Sequence, residues 1–239
     1  MSPLEDIQPN ASLSGYSLGA PASSRPNPPE HKQWFSRGYL PHFDLPDLLQ
    51  SITFRLADSL PQDVLEKMAR ELAAHPEDKR QTERERRIAA CLDAGLGACW
   101  LKDARIAALV EDALLHFDGQ RYRLLAWCVM PNHVHALVET KEGFPLPEIV
   151  HSWKSFTANE ANKILRRTGD FWQREYHDRF IRDDDHYRNA VVYIENNPVK
   201  AGLVKTAQAW RYSSAWSHEE QEAGKDAGAP SSAAPGMRR

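Results

Sequence analysis

The sequence contains no run of about 18 apolar residues, so it offers no stretch able to cross a bilayer as a helix. Its first residues lack a basic segment leading into an apolar one, and no secretory signal is expected. Cysteine is scarce: Cys91, Cys99 and Cys128 show no CxxC spacing, which excludes a disulfide framework and a zinc knuckle. A reducing cytoplasm is the expected address. A strong excess of one charge is missing too. The net charge of −3 argues against indiscriminate coating of nucleic acid.

Some absences are local. Residues 1–30 carry six prolines among Ser, Ala and Asn and show no apolar period, while residues 217–239 are small, polar and free of aromatics. Both stretches bury too little apolar surface to offset the entropy of ordering and are expected to be disordered tails. They flank one folded domain at 31–216, long enough to build a core.

What is present inside that domain alternates strand and helix signals. "QSITFRLADSLP" (50–61) is β-rich and ends at proline, and "PQDVLEKMARELAAH" then places Val64, Leu65, Met68 and Leu72 at helical spacing. "DKRQTERERRIAACLDAG" alternates in charge as a solvated helix does, although its arginines could also meet phosphate. An amphipathic helix is expected over about 102–116, then two strands, "YRLLAWCVM" and "HVHALVE", broken by "PN". The first of these is apolar on both faces, as a central strand would be. A helix over about 146–167, a loop with a short extended stretch in "TGDFWQREYHDRFIRD", and a helix from 184 to about 196 complete the chain, the last halted by Pro198. Adjacent strands that can pair antiparallel, interleaved with helices, give an α+β class.

Chemistry concentrates at "MPNHVHALVE". Strand side chains alternate, so His133 and His135 share a face while Val134, Ala136 and Val138 anchor the other. Two imidazoles aimed at one space suit a divalent metal, or are simply two hydrogen-bonded histidines on an edge strand. Downstream, in "YIENNPVKAGLV", Tyr193 and Asn197 lie four residues apart on one helical face and bring a phenol beside an amide oxygen. Their plainer uses are a core tyrosine and a helix end. From His151 to Tyr212, eleven Lys and Arg stand against eight Asp and Glu, which permits a phosphate-binding face.

"MPNHVHALVE", "FWQREYHDRFIRD" and "YIENNPVKAGLV", in that order, resemble the REP-associated tyrosine transposases, relatives of the single-tyrosine HUH (histidine–hydrophobe–histidine) transposases. The resemblance extends over roughly 31–216 and includes "GYLPHFD" and "SITFRLADSLP". It implies a ferredoxin-like antiparallel sheet with helices on one face, and metal-dependent cleavage and rejoining of single-stranded DNA at palindromic hairpins. By motif position His133, His135 and Asn197 would hold Mg²⁺ or Mn²⁺, and Tyr193 would be the nucleophile, with Tyr176 in reserve. Trp172, Arg174, His177, Arg179 and Arg182 are candidate DNA contacts, since aromatic rings stack on bases and arginines meet phosphates. Such a protein would work at the nucleoid, as a monomer or homodimer. Two other readings fit the same residues: a hairpin-binding protein that does not cut, and a metal hydrolase in which the histidines activate water. The second normally brings denser ligand motifs such as HExxH, and none is present.

Overall fold

The computed structural model describes residues 31, 33–36 and 41–216; the tails expected at 1–30 and 217–239 lie outside the described residues. A two-stranded hairpin, β1 (Gln33–Ser36) and β2 (Pro41–Asp44), precedes the main sheet. That sheet contains β3 (Leu49–Arg55), β4 (Tyr122–Val129), β5 (His133–Thr140) and β6 (His177–Phe180). Its order is β4-β5-β3-β6, and every neighbouring pair is antiparallel. Two crossovers build it. Helix α3 (Ala104–Leu115) links β3 to β4 past β5, and α4 (Leu146–Ile164) links β5 to β6 past β3. This is the antiparallel, ferredoxin-like α+β sheet that the sequence leads one to expect.

The alternation of β3 and β5 sorts the molecule into layers. Ile52 and Phe54 of β3 and Val134, Ala136 and Val138 of β5 join Ile106, Val110, Ile149 and Trp153 of α3 and α4 in the main core. Helices therefore cover that face as expected. One helix, however, lies on the other side. α5 (Asp184–Glu195) packs Ala190 and Ile194 against Ala126, Cys128 and Leu137. This second layer positions the site, because His133 and His135 point the same way as Leu137.

The strand expected at the centre, β4, is an edge strand. Its residues are apolar on both faces because α3 covers one and α5 the other. Its outer edge is closed by the chain itself: the Val129 amide donates to the Tyr212 carbonyl at 2.9 Å, and the Trp127 amide to Ser214 Oγ at 3.1 Å. Burial on both faces thus comes without a strand on both sides. Between β3 and α3 the chain inserts α1 (Gln62–Ala73) and α2 (Glu77–Asp93), each opened by a proline, Pro61 and Pro76. Beyond α5, Pro198 does not end the helical path but sits in the first turn of a short helix, α6 (Asn197–Lys200), where its missing N–H costs nothing. The three cysteines are free, and among the described residues no helix is long and apolar enough to cross a membrane.

Polar groups dock the hairpin onto this frame. The buried carboxylate of Asp44 accepts from the Leu146 amide at 3.1 Å, so the first turn of α4, which has no side-chain cap of its own, is capped from a distance. His42 hydrogen-bonds Asp178 of β6 and lies 3.5 Å from Glu175. Burial pulls its pKa down, but the two carboxylates outweigh burial and leave it above the ordinary histidine value.

The core's largest fully buried side chain, Trp153, donates to the Tyr122 hydroxyl at 2.9 Å and meets that ring edge-on. Trp153→Ala removes the indole and leaves the Tyr122 hydroxyl with only its bond to the Leu114 carbonyl; urea denaturation is expected to show a loss of about 3–5 kcal/mol, with the m-value unchanged.

Candidate active site

The site starts from backbone register. β3 pairs with β5 so that Thr53 lies opposite His135 and Arg55 opposite His133, all on the α5 side of the sheet. The Thr53 hydroxyl meets His135 Nδ1 at 2.8 Å, and the side-chain oxygen of Asn132 meets His133 Nδ1 at 2.8 Å. Asn132 is oriented in turn, because its amide nitrogen donates to the Leu96 carbonyl at 2.9 Å. The oxygen must then face His133, which makes Nδ1 of that ring the protonated nitrogen and leaves Nε2 a lone pair.

Leu96 is held by a tight approach. Gly97, at φ +84°, lies so close to Asp58 that a Cβ would stand 2.6 Å from its carbonyl oxygen, and the next amide, Ala98, donates to the Asp58 carboxylate at 2.8 Å. Only glycine fits there.

With both Nδ1 atoms engaged, the two Nε2 atoms converge to 2.9 Å, with the rings perpendicular and their centroids 4.7 Å apart. Both rings are buried. Burial is the main cause that pulls both pKa values down; His135 and Lys200 add to it for His133, and Lys200 and His177 for His135. The rings are therefore neutral, the form in which imidazole binds metal.

Across this pair lies α5. The Tyr193 ring stands edge-on to His135 with centroids 5.5 Å apart, and Tyr193 is 43% exposed, so its phenol is open to a substrate. Asn197 is fully buried; its amide nitrogen donates to the Tyr193 carbonyl at 2.9 Å, while its oxygen has no partner among the described residues. An orphaned buried oxygen is costly unless something binds it. The ammonium of Lys200 lies 5.6 Å from the Tyr193 ring centre and pairs with Asp93 of α2 at 2.7 Å, a hydrogen bond that holds it charged and above the ordinary lysine range.

Does this set fit a divalent cation? Two neutral imidazoles whose Nε2 atoms meet, that of His135 donating to that of His133 until its proton moves to Nδ1 beside the Thr53 oxygen, and an unsatisfied amide oxygen suit one. Among the described residues no group of three or more His, Cys, Asp or Glu could hold a metal. The histidines are thus two donors, and further ligands would come from Asn197, substrate oxygen or water.

The other sequence candidates divide. Tyr176 is buried in the main core against His42, ring centroids 4.5 Å apart, and cannot meet a phosphate as the reserve nucleophile. Trp172 is likewise a core residue, its indole donating to Thr157 Oγ1 at 2.8 Å and its ring edge-on to Phe54, which removes it from the DNA contacts. Arg174, Arg179 and Arg182 are exposed, and half-buried His177 shares Glu85 with Arg179, each at 3.6 Å. Sequence reasoning missed Asn132, Thr53, Lys200 and Asp93. The one available signal was the Asn next to the first histidine, read only as a strand break.

With the geometry in place, comparisons with known proteins bear on the chain. Residues 105–197 match the family model described as "Transposase IS200 like". A REP-associated tyrosine transposase of Escherichia coli strain K12 is 30% identical over 108 residues, covering 44% of this chain and 62% of its own length. The resemblance to the REP-associated tyrosine transposases holds. A Haemophilus influenzae protein whose name assigns it to the same group is 31% identical over 104 residues, covering 39% of this chain and 58% of its own length. The chain thus spans about three fifths of the length of these curated relatives. A solved REP-associated tyrosine transposase bound to a REP hairpin aligns with 17% identity and a TM-score of 0.49, covering 85% of this chain and 94% of that one. The family segment begins in α3 and ends at Asn197, so it takes in His133, His135 and Tyr193 but leaves out β3, α1 and α2.

If the two histidines hold a divalent cation, removing a support of the rings should weaken its binding without changing either imidazole. Asn132→Ala or Thr53→Val is expected to lower Mn²⁺ affinity about 10–100-fold in a calorimetric titration. The metal-free protein also has a defined acid response. The unfolded chain takes up protons near the ordinary histidine pKa that the folded pair refuses. The contribution of His133 and His135 to stability is therefore whole above about pH 6.5 and declines as the pH falls below it, and thermal melts of wild type and His135→Gln between pH 7 and 5 should converge.

Proposed function

We propose that the chain cuts and rejoins single-stranded DNA at palindromic, REP-like hairpins, using Tyr193 as nucleophile and a Mg²⁺ or Mn²⁺ ion bound by His133, His135 and Asn197. The observation that carries this reading is the meeting of an exposed tyrosine with a buried, neutral histidine pair, 5.5 Å between the Tyr193 and His135 ring centroids.

Each group has a task set by its surroundings. Asn132 and Thr53 turn both imidazoles so that their Nε2 atoms converge on the α5 side of the sheet. A divalent cation held there supplies Lewis acidity to a scissile phosphate oxygen. Tyr193 Oη forms the new bond to phosphorus as the bond to the 3′ oxygen breaks; the phenolic proton passes to water and the departing 3′ oxygen takes one from water, giving a 5′-phosphotyrosine and a free 3′-hydroxyl. A second 3′-hydroxyl reverses the step and rejoins DNA, with no ATP because the ester retains the phosphodiester energy. Lys200, fixed by Asp93, offers positive charge next to the phenol where the phosphate enters. Asn197 ties its own position to the nucleophile's backbone through the Tyr193 carbonyl. Arg174, Arg179, Arg182 and His177 are the proposed contacts to the bound strand.

Labelled single-stranded hairpin DNA incubated with Mn²⁺ should yield a covalent protein–DNA band on a denaturing gel. Tyr193→Phe is expected to abolish that band and Tyr176→Phe to retain it. Tight binding without a band would make the protein a hairpin binder, and cleavage without a band would make it a hydrolase.

A further inference from the structure

We propose that His177 and Arg179 of β6 form a phosphate subsite for the strand bound at the histidines, and that the Glu85 carboxylate of α2 fills it until a phosphate takes its place. This rests on the reading of the site as one that processes DNA.

Register fixes where the subsite lies. Thr53 of β3 stands opposite His135 on one side and opposite His177 on the other, so the three form one row across the sheet. Arg179, two residues on and opposite Ser51, shares their face. With neighbouring strands about 5 Å apart, the His177 backbone lies about 10 Å from that of His135. A strand whose scissile phosphate sits at the histidine pair brings its next phosphate or two to this distance. α5 packs on Ala126 and Cys128 of β4 and Leu137 of β5, so the row leads away from that helix towards β6.

Over β6 lies a carboxylate instead. One oxygen of Glu85 is 3.6 Å from His177 Nε2 and the other is 3.6 Å from the Arg179 guanidinium. The two oxygens stand where two oxygens of a phosphate would. Both distances exceed hydrogen-bond length and Arg179 is exposed, which makes this a loose, hydrated ion pair. The short bond to Glu85 comes from its own helix, donated by Gln81 Nε2 at 2.7 Å.

The other ion pairs of α2 are tight. Glu83 meets Arg86 at 2.8 Å and Arg87 at 2.7 Å, and Asp93 meets Lys200 at 2.7 Å. Among the described residues, the buried apolar side chains of α1 and α2 are Met68, Leu72 and Leu92, and they belong neither to the main core nor to the cluster under α5. Polar ties therefore hold α2 beside the site, Asp93 firmly and Glu85 weakly. A phosphate can form charge-assisted bonds of full strength to the imidazole and the guanidinium, which the carboxylate at 3.6 Å does not. Exchange of one anion for the other leaves the Asp93 anchor in place.

The test compares Glu85→Gln with Glu77→Gln, which removes a carboxylate from the first turn of the same helix. Neither residue is buried, so both variants should fold. The first measurement is the melting temperature in sulfate and in chloride at equal ionic strength. Sulfate should stabilise Glu85→Gln more than wild type or Glu77→Gln, and adding Arg179→Gln should remove that gain. The second is binding of a REP-type hairpin with single-stranded flanks, in a Tyr193→Phe background at low salt. Glu85→Gln should bind about three- to fivefold more tightly than Glu77→Gln, the scale of one exposed ion pair. Arg179→Gln should weaken binding, flatten the dependence of log K on log salt by about 0.7–0.9, and cancel the gain from Glu85→Gln. If Glu85→Gln matches Glu77→Gln in both measurements, the subsite is overturned while hairpin binding by wild type still supports the DNA reading. Weaker binding by Glu85→Gln than by Glu77→Gln would make Glu85 a support of the two side chains and overturn the exchange. If sulfate separates the variants but none of them binds hairpin, the anion site stands and the DNA reading falls.

Discussion

The register of β3 against β5 is the constraint from which the site follows. Strand side chains alternate with period two, so a slip of one residue would send His133 and His135 into the core under α3 and α4 and bring Val134 and Ala136 out to face α5. The register is locked by that same core: Ile52 and Phe54 of β3 and Val134, Ala136 and Val138 of β5 are all buried, and none could be exposed cheaply. At about 25 cal/mol per Å² of apolar surface, turning the Val134, Ala136 and Val138 side chains out of that core would cost several kcal/mol, a large part of a small domain's margin of stability. Packing on one face thus fixes chemistry on the other.

The two faces are unequal in weight. The main core gathers two helices and most of the large side chains, whereas α5 rests on a smaller cluster built from Ala190 and Ile194 against the sheet. The helix that carries Tyr193 is therefore attached by little apolar surface and owes its place to polar ties. Asn197 reaches back to the Tyr193 carbonyl, and Ser214 donates to Glu195 in the last turn of α5 at 2.8 Å.

Much of this could be read from residue order. The histidine alternation gives the shared face directly, and the helical spacing of Tyr193 and Asn197 gives their neighbourhood, because both depend only on local periodicity. The α+β sheet was legible for the same reason. Other features depend on contacts distant in sequence. Asn132 needs Leu96, and Leu96 needs the approach of Gly97 to Asp58, so nothing adjacent to Asn132 reveals its task. Trp172 and Tyr176 lie in an aromatic–basic cluster that looks the same whether the rings stack on bases or fill a core; the Thr157 hydroxyl and the Phe54 and His42 rings decide it. β4 was misplaced because apolar residues on both faces report coverage by helices as readily as by neighbouring strands.

The seal on β4 also orders events in time. Its outer backbone is paired by residues 212–214, and Trp210 adds a bond from its indole to the Val129 carbonyl at 3.0 Å. A chain emerging from the ribosome completes β3, β5 and both crossovers well before those residues appear. In that interval the sheet presents an apolar strand with unpaired amides, the template that neighbouring nascent chains add to most readily. The closing segment of the fold therefore covers a strand edge that would otherwise be open to pairing, and through Ser214 it also ties down α5.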